Sequence, residues 1–176
     1  MAMKESSISK MTSSMIRSNK MSVLLKITNA LMAEKDINRL LKLIMDTTSS
    51  ILNAERTSIF LLDYDTNELY TRVAQLTEIS EIRFPADKGI AGSAVTKSKL
   101  INIPDAYKDS RFNPEIDKKT GYRTRNILCA PMLNHKNECV GVLQVLNKKT
   151  GEFGFEDESL IMALAAQAAV AVENAQ

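Results

Sequence analysis

Gly89-Ile90-Ala91-Gly92 opens a short helical stretch after Pro85-Ala86-Asp87-Lys88, an arrangement suited to holding an anion. Unpaired N–H groups at a helix start, with the helix dipole behind them, favour a negative charge such as a phosphate. Taken alone, a glycine at that place also serves an ordinary turn. Asp117 and Thr120 gather around Gly121, and without other context they read as residues that organise turns. The single histidine, His135, falls in a turn between two strands and reads as solvated, so no histidine-rich metal site can be built. Cys129 and Cys139 flank that same turn. If Leu133 pairs with Glu138, Cys129 faces Val142 and Cys139 faces Met132, so the two thiols do not meet. With no histidine to activate them, they read as small buried hydrophobes. No Ser/His/Asp or Cys/His set and no Gly-x-x-x-x-Gly-Lys loop is present, which leaves binding rather than catalysis as the chemistry to look for.

The elements that must position these residues follow from periodicity. Residues 1–20, polar and rich in Ser and Met, read as a frayed lead-in. Val23, Leu24, Ile27 and Leu31 then fall at helical spacing. Asp36 or Asn38 is placed to cap a second helix carrying Leu40, Leu41, Ile44, Thr48, Ile51 and Leu52 on one face. The period shifts at Thr57. TSIFLLD reads as a buried strand, Asp63 to Asn67 as a turn, and Leu69 to Val73 as the returning strand. A third strand is expected at Ser80 to Phe84, stopped by Pro85, and a brief extended piece at Leu100 to Ile103. Asp105 to Arg125 shows almost no regular periodicity and reads as a long irregular loop, a kind of segment that is often functional. Strands at Asn126 to Leu133 and Cys139 to Leu146 form a second hairpin, and an Ala-rich helix runs from Asp157. Hairpins in succession, without βαβ alternation, imply an α+β domain with an antiparallel sheet.

Composition narrows the class further. The 176 residues carry 23 Lys plus Arg against 21 Asp plus Glu, with aromatics at 5% and no Trp. A nucleic-acid binder would show a basic stripe with interleaved aromatics, so no nucleic-acid partner is expected. No apolar run approaches the roughly 20 residues of a spanning helix, and the amino terminus lacks a signal-peptide core. A cytoplasmic location with no membrane partner is the expectation.

Five segments taken together resemble a GAF domain, the small-molecule sensor module of cyclic-nucleotide phosphodiesterases, bacterial adenylyl cyclases and signalling kinases. They are TSIFLLD (57–63), PADKGIAG (85–92), INIPDAY (101–107), DKKTGYRTRNILCAP (117–131) and GVLQVLNK (141–148). The family's signature is matched by Asn147, Lys148, Phe153, Asp157 and Glu158. The resemblance runs from about Met21 to Gln176 and is closest to the cyclic-nucleotide-binding branch. It implies a PAS-related, six-stranded antiparallel sheet with flanking helices, a single domain over 21–176, and a small-molecule ligand under loops on one face.

By the same resemblance, Ile90 and Ala91 would offer backbone to a cyclic phosphate. Asp117, Thr120 and Thr124 would line the pocket from the long loop, and Ser58 and Gln144 would complete it from the sheet. Ala74 and Gln75 stand where one phosphodiesterase group carries a Phe-Asp pair that holds guanine. Their loss of ring and carboxylate places cAMP ahead of cGMP. Lys148 and Asp157 are expected to form an ion pair that ties sheet to helix, a scaffold role. No cofactor is implied beyond the cyclic nucleotide as regulatory ligand. The end of the chain within a helix suggests a following output domain, and the relatives suggest a homodimer through the terminal helices. Two alternatives stay open: a ligand-free dimerisation module, and a methionine sulfoxide reductase of related fold, which would require reactive cysteines in the pocket.

Overall fold

A computed structural model describes residues 2–74 and 81–175, so Gln75 lies outside the described residues. Six strands form one antiparallel sheet: β1 (Ala54–Asp63), β2 (Glu68–Ala74), β3 (Arg83–Pro85), β4 (Ile101–Ile103), β5 (Ile127–Leu133) and β6 (Cys139–Lys148). Their order is β3-β2-β1-β6-β5-β4, which leaves β1 and β6 at the centre. Pro85 closes β3 from within rather than from outside it. That is tolerable because β3 is an edge strand with no ladder bond to lose on its open side.

One face of the sheet is covered by α2 (Ile37–Ile51) and α5 (Phe155–Asn174), with α1 (Ala2–Ala33) packed on those two helices. Asp36 caps α2, accepting from the Asn38 N–H at 2.8 Å. Leu41, Ile44 and Met45 of α2, Ile161 and Leu164 of α5, and Ile59, Leu143 and Val145 of the sheet form the main core. Helix α1 reaches this core through Ile27, Val23 and Leu24. The expected lead-in over residues 1–20 is helical from Ala2. It lacks a one-sided apolar stripe because its apolar residues lie on opposite faces. Val23, Leu24 and Ile27 turn inward, while Met11, Met15, Met21 and Leu25 are exposed.

The opposite face carries a smaller apolar cluster beneath α3 (Gly89–Lys97). The segment expected as irregular contains a 3-10 turn at Ala106–Lys108 and a six-residue helix, α4 (Glu115–Thr120), between Pro114 and the left-handed Gly121. In the second hairpin, Leu133 pairs with Cys139 and Met132 with Gly141, with a bulge between Met132 and Leu133. The expected pairing of Leu133 with Glu138 is therefore corrected by one residue. Cys129 faces Gln144, not Val142. His135 lies exposed in its turn, as expected, and its Nδ1 also lies 2.6 Å from Glu173 Oε1 in the last turn of α5. Among the described residues, no helix is long and apolar enough to cross a membrane.

Candidate functional site

Strand alternation sets the floor of the site. Side chains two apart on a strand share a face, so Arg56, Ser58 and Phe60 of β1 line up beside Gln144 and Leu146 of β6. Ser58 pairs directly with Gln144 in the ladder and with Ala74 on its other side. Ile127 of β5 extends the floor. The intervening residues Ile59, Leu143 and Val145 point to the helical core. Above this floor lies a cavity of about 390 Å³, within the range of small-molecule sites.

The first turn of α3 forms one wall through Gly89, Ile90 and Ala91. Gly89 adopts φ +70°, and Gly92 lies so close to the preceding loop that a Cβ would meet the Asp87 carbonyl carbon at 2.7 Å. That close approach folds residues 86–88 under the helix and leaves its first N–H groups without intrahelical acceptors. The long loop forms the opposite wall through Arg111, Phe112 and Asn113, with Ile116, Asp117 and Thr120 of α4 beside them. Tyr122 and Thr124 close one end, and Ile82, Arg83 and Phe84 the other. The Phe60 and Phe84 rings meet edge to face at 5.3 Å.

Of the nine residues expected at a ligand site, seven line this one cavity: Ser58, Ile90, Ala91, Asp117, Thr120, Thr124 and Gln144. Ala74 is placed only by its backbone beside Ser58, and Gln75 lies outside the described residues. Their polar atoms are used differently. Asp117 is 6% exposed and its oxygens accept from Tyr107 Oη (3.0 Å), Thr124 N (2.7 Å) and Thr124 Oγ1 (2.8 Å). Thr120 Oγ1 donates to the Ile116 carbonyl at 2.9 Å and accepts from the Tyr122 N–H at 3.3 Å, and so organises the turn at the end of its helix. By contrast, the side chains of Ser58 and Gln144 make no hydrogen bond to another described residue.

Sequence reasoning missed the cationic and aromatic lining. Arg56 lies with its guanidinium 3.8 Å from the Tyr122 ring centroid and pairs with no carboxylate among the described residues. Its signal was the two-residue period back from Ser58. Arg111 is gripped by Asp109 at 2.6 Å, and this hydrogen bond draws the Asp109 carboxyl down to about 2. Behind Tyr122, Glu55 collects Arg125, Asn147 and Tyr122 as donors. Burial alone would raise its pKa, but these bonds outweigh it and hold the carboxyl at about 2. Burial, and then the bond to Glu55, push the Tyr122 phenol up.

The signature residues stand apart from the cavity. Buried Asn147 adopts φ +58°, and its side chain accepts from Arg125 N while donating to Glu55 and the Arg123 carbonyl. Lys148 Nζ lies 2.8 Å from Asp157, and Asn102 Nδ2 donates to Glu158 Oε1 at 2.8 Å and to the Phe153 carbonyl. Neither Cys129 nor Cys139 lines the cavity, and burial raises both thiol pKa values. Among the described residues, no group of three or more His, Cys, Asp or Glu side chains is arranged to hold a metal.

The site thus joins a helix start and the Arg56 guanidinium to a mainly apolar interior with a polar amide on its floor. That is chemistry for a small molecule carrying both an anionic group and a planar ring. Comparison with known proteins agrees with the architecture. A cGMP-specific 3',5'-cyclic phosphodiesterase of Drosophila ananassae is 36% identical over a match covering 81% of this chain, which spans 14% of that protein's length. The GAF domain of a phosphoenolpyruvate-protein phosphotransferase from Coxiella burnetii superposes with a TM-score of 0.79 at 23% identity, covering 90% of this chain and 95% of that one. A free methionine-R-sulfoxide reductase from Neisseria meningitidis gives 0.74 at 19% identity, with 89% of each chain covered. At those identities the two structures speak for the fold alone. The GAF domain model itself matches residues 36–172, which contain every residue of the cavity, and the chain belongs to the GAF domain family.

Proposed function

We propose that this domain is a regulatory sensor that binds a cyclic nucleotide, cAMP ahead of cGMP, and catalyses nothing itself. The observation that carries the reading is the first turn of α3 facing a mainly apolar cavity whose floor bears an unengaged amide. Backbone N–H groups at Ile90 and Ala91 suit the cyclic phosphate, with Arg56 adding positive potential, whereas Lys88 and Arg111 are offset by Asp87 and Asp109. Phe60, Phe84 and Phe112 suit a purine ring.

The similarity to a cGMP-specific phosphodiesterase supports a cyclic nucleotide and, by its name, cGMP. The lining favours adenine. Guanine's N–H donors seek acceptors, and the single carboxylate on the described cavity wall, Asp117, already receives three hydrogen bonds. Gln144 offers both donor and acceptor, the combination with which an amide reads adenine. Calorimetric titration with cAMP and cGMP tests this directly. Tighter cAMP binding is expected. Tighter cGMP binding would reverse the ligand order, and heat from neither would remove the sensor reading.

The same proposal includes signalling through a homodimer to a domain outside this chain. Its support is the exposed apolar face of α1, where Met15 is 72% and Leu25 56% exposed. The sulfoxide-reductase alternative draws no support from the cysteines, neither of which lines the cavity.

A further inference from the structure

We propose that Tyr107 is a positioning residue for the ligand: through Asp117 it latches α4 over the cavity and sets how fast the ligand leaves. The identity of the ligand rests on the cyclic-nucleotide reading, whereas the latch rests on geometry alone.

One side of the latch is fixed and the other is not. Tyr107 stands on the 3-10 turn, which is anchored by the Ala106 N–H to the Arg125 carbonyl at 2.7 Å. Its ring is seated between the Arg123 guanidinium, 3.7 Å from the centroid, and Phe112, whose centroid lies 5.0 Å away. Helix α4 packs only loosely on the other elements. Its remaining side-chain bonds are local: Lys118 to Glu115 at 2.8 Å, Thr120 to the Ile116 carbonyl at 2.9 Å, and Thr120 Oγ1 from the Tyr122 N–H at 3.3 Å. Asp117 is therefore the polar attachment that α4 makes to distant parts of the chain, and the Tyr107 hydroxyl supplies one of its three donors.

Ile116 on the same helix lines the cavity yet is 45% exposed, so a bound ring would gain cover from it. A short helix held mainly by one carboxylate, with an apolar side chain over the opening, is built to close on a ligand. Tyr107 also borders a shallow groove on the outer side of the loop, next to Arg123 and Thr124. The latch is thus reachable from outside the cavity.

Tyr107→Phe keeps the ring between Arg123 and Phe112 and removes only the hydroxyl. The measurements are amide hydrogen exchange without ligand and dissociation of cAMP by stopped flow. The expected result is roughly tenfold faster exchange in α4 and roughly tenfold faster cAMP release, the size of one lost hydrogen bond to a charged group. Association should hardly change, and β1 and β6 should exchange as in the parent. Combined with Asp117→Ala, the substitution should add nothing, because both break the same latch. Parental exchange in α4, faster exchange throughout the sheet, or effects of the two substitutions that multiply would each overturn the proposal. A parent that binds neither cAMP nor cGMP would defeat the ligand reading, and exchange in α4 would still decide the latch.

Discussion

Replacing Asp157 by alanine should lower the melting temperature markedly without altering the fold. Lys148 Nζ lies 2.8 Å from the Asp157 carboxylate and 3.1 Å from the Leu52 carbonyl, so the lysine joins β6, α2 and α5 at one point. Asp157 also accepts from the Gly154 N–H at 2.9 Å, which closes the first turn of α5. The side chains of Lys148 and Asp157 are 19% and 15% exposed, so the pair is sheltered but not dry. Removing one partner of a fully buried pair costs about 3–5 kcal/mol, and partial access of water reduces this to about 1–2 kcal/mol here. Loss of the helix-start contact adds about 1 kcal/mol. The sum, about 2–3 kcal/mol, corresponds to a fall of roughly 5–10 °C for a domain of this size. Circular dichroism melts of the parent, Asp157→Ala, and the double variant Lys148→Met with Asp157→Leu are the assay. The double variant should melt above the single one, since it strands no charge. A single variant that melts like the parent, or a double variant that melts lower still, would refute the argument.

Gln144→Leu should weaken cAMP binding by about 1–3 kcal/mol while sparing stability, as titration calorimetry would record; unchanged affinity would take the amide out of the site. Glu55 has a folded pKa of about 2 against 4.5 for the free group, so its stabilising contribution is complete above 4.5 and drains away as pH falls toward 2. Glu55→Gln should flatten the acid limb of a stability-versus-pH curve, and an unchanged limb would contradict the assignment. Gly92→Ala should cost both melting temperature and ligand affinity, because the added methyl meets backbone at Asp87 rather than a side chain able to swing aside. Met15→Lys with Leu25→Lys should convert a dimer to a monomer in light scattering; a parent that is monomeric above about 100 μM, well over a micromolar affinity, would end the dimer proposal.

How much of this was legible in the sequence depended on how local the cause was. Asp36 caps α2 because its own side chain reaches the next N–H groups, and a cap of that kind can be read directly. Ser58 and Gln144 meet because both strands keep a strict period of two up to their pairing. The register near Leu133 was misread because a bulge inserts one residue, which no pattern of apolar positions records. Helix α4 escaped notice because Glu-Ile-Asp-Lys-Lys-Thr has no apolar face, and its distant attachment is the Asp117 carboxylate. The first part of α1, residues 2–20, looked unlike a helix because the inward apolar stripe starts only at Val23, while Met11 and Met15 face away. Nor could spacing reveal that the oxygens of Asp117 turn toward Tyr107 and Thr124, since whether a carboxylate serves its own chain or a guest is settled by tertiary contacts.

The central strands carry two separate vocabularies. Along β6, Leu143 and Val145 belong to the core while Gln144 and Leu146 belong to the cavity, and the backbone between them insulates one set from the other. A substitution at Gln144 or Ser58 can therefore change which molecule is admitted without repacking the helices beneath. Recognition and foldability can drift independently in such a chain, one residue apart. A designer seeking a new ligand would rewrite alternate letters of β1 and β6 and leave the letters between them untouched.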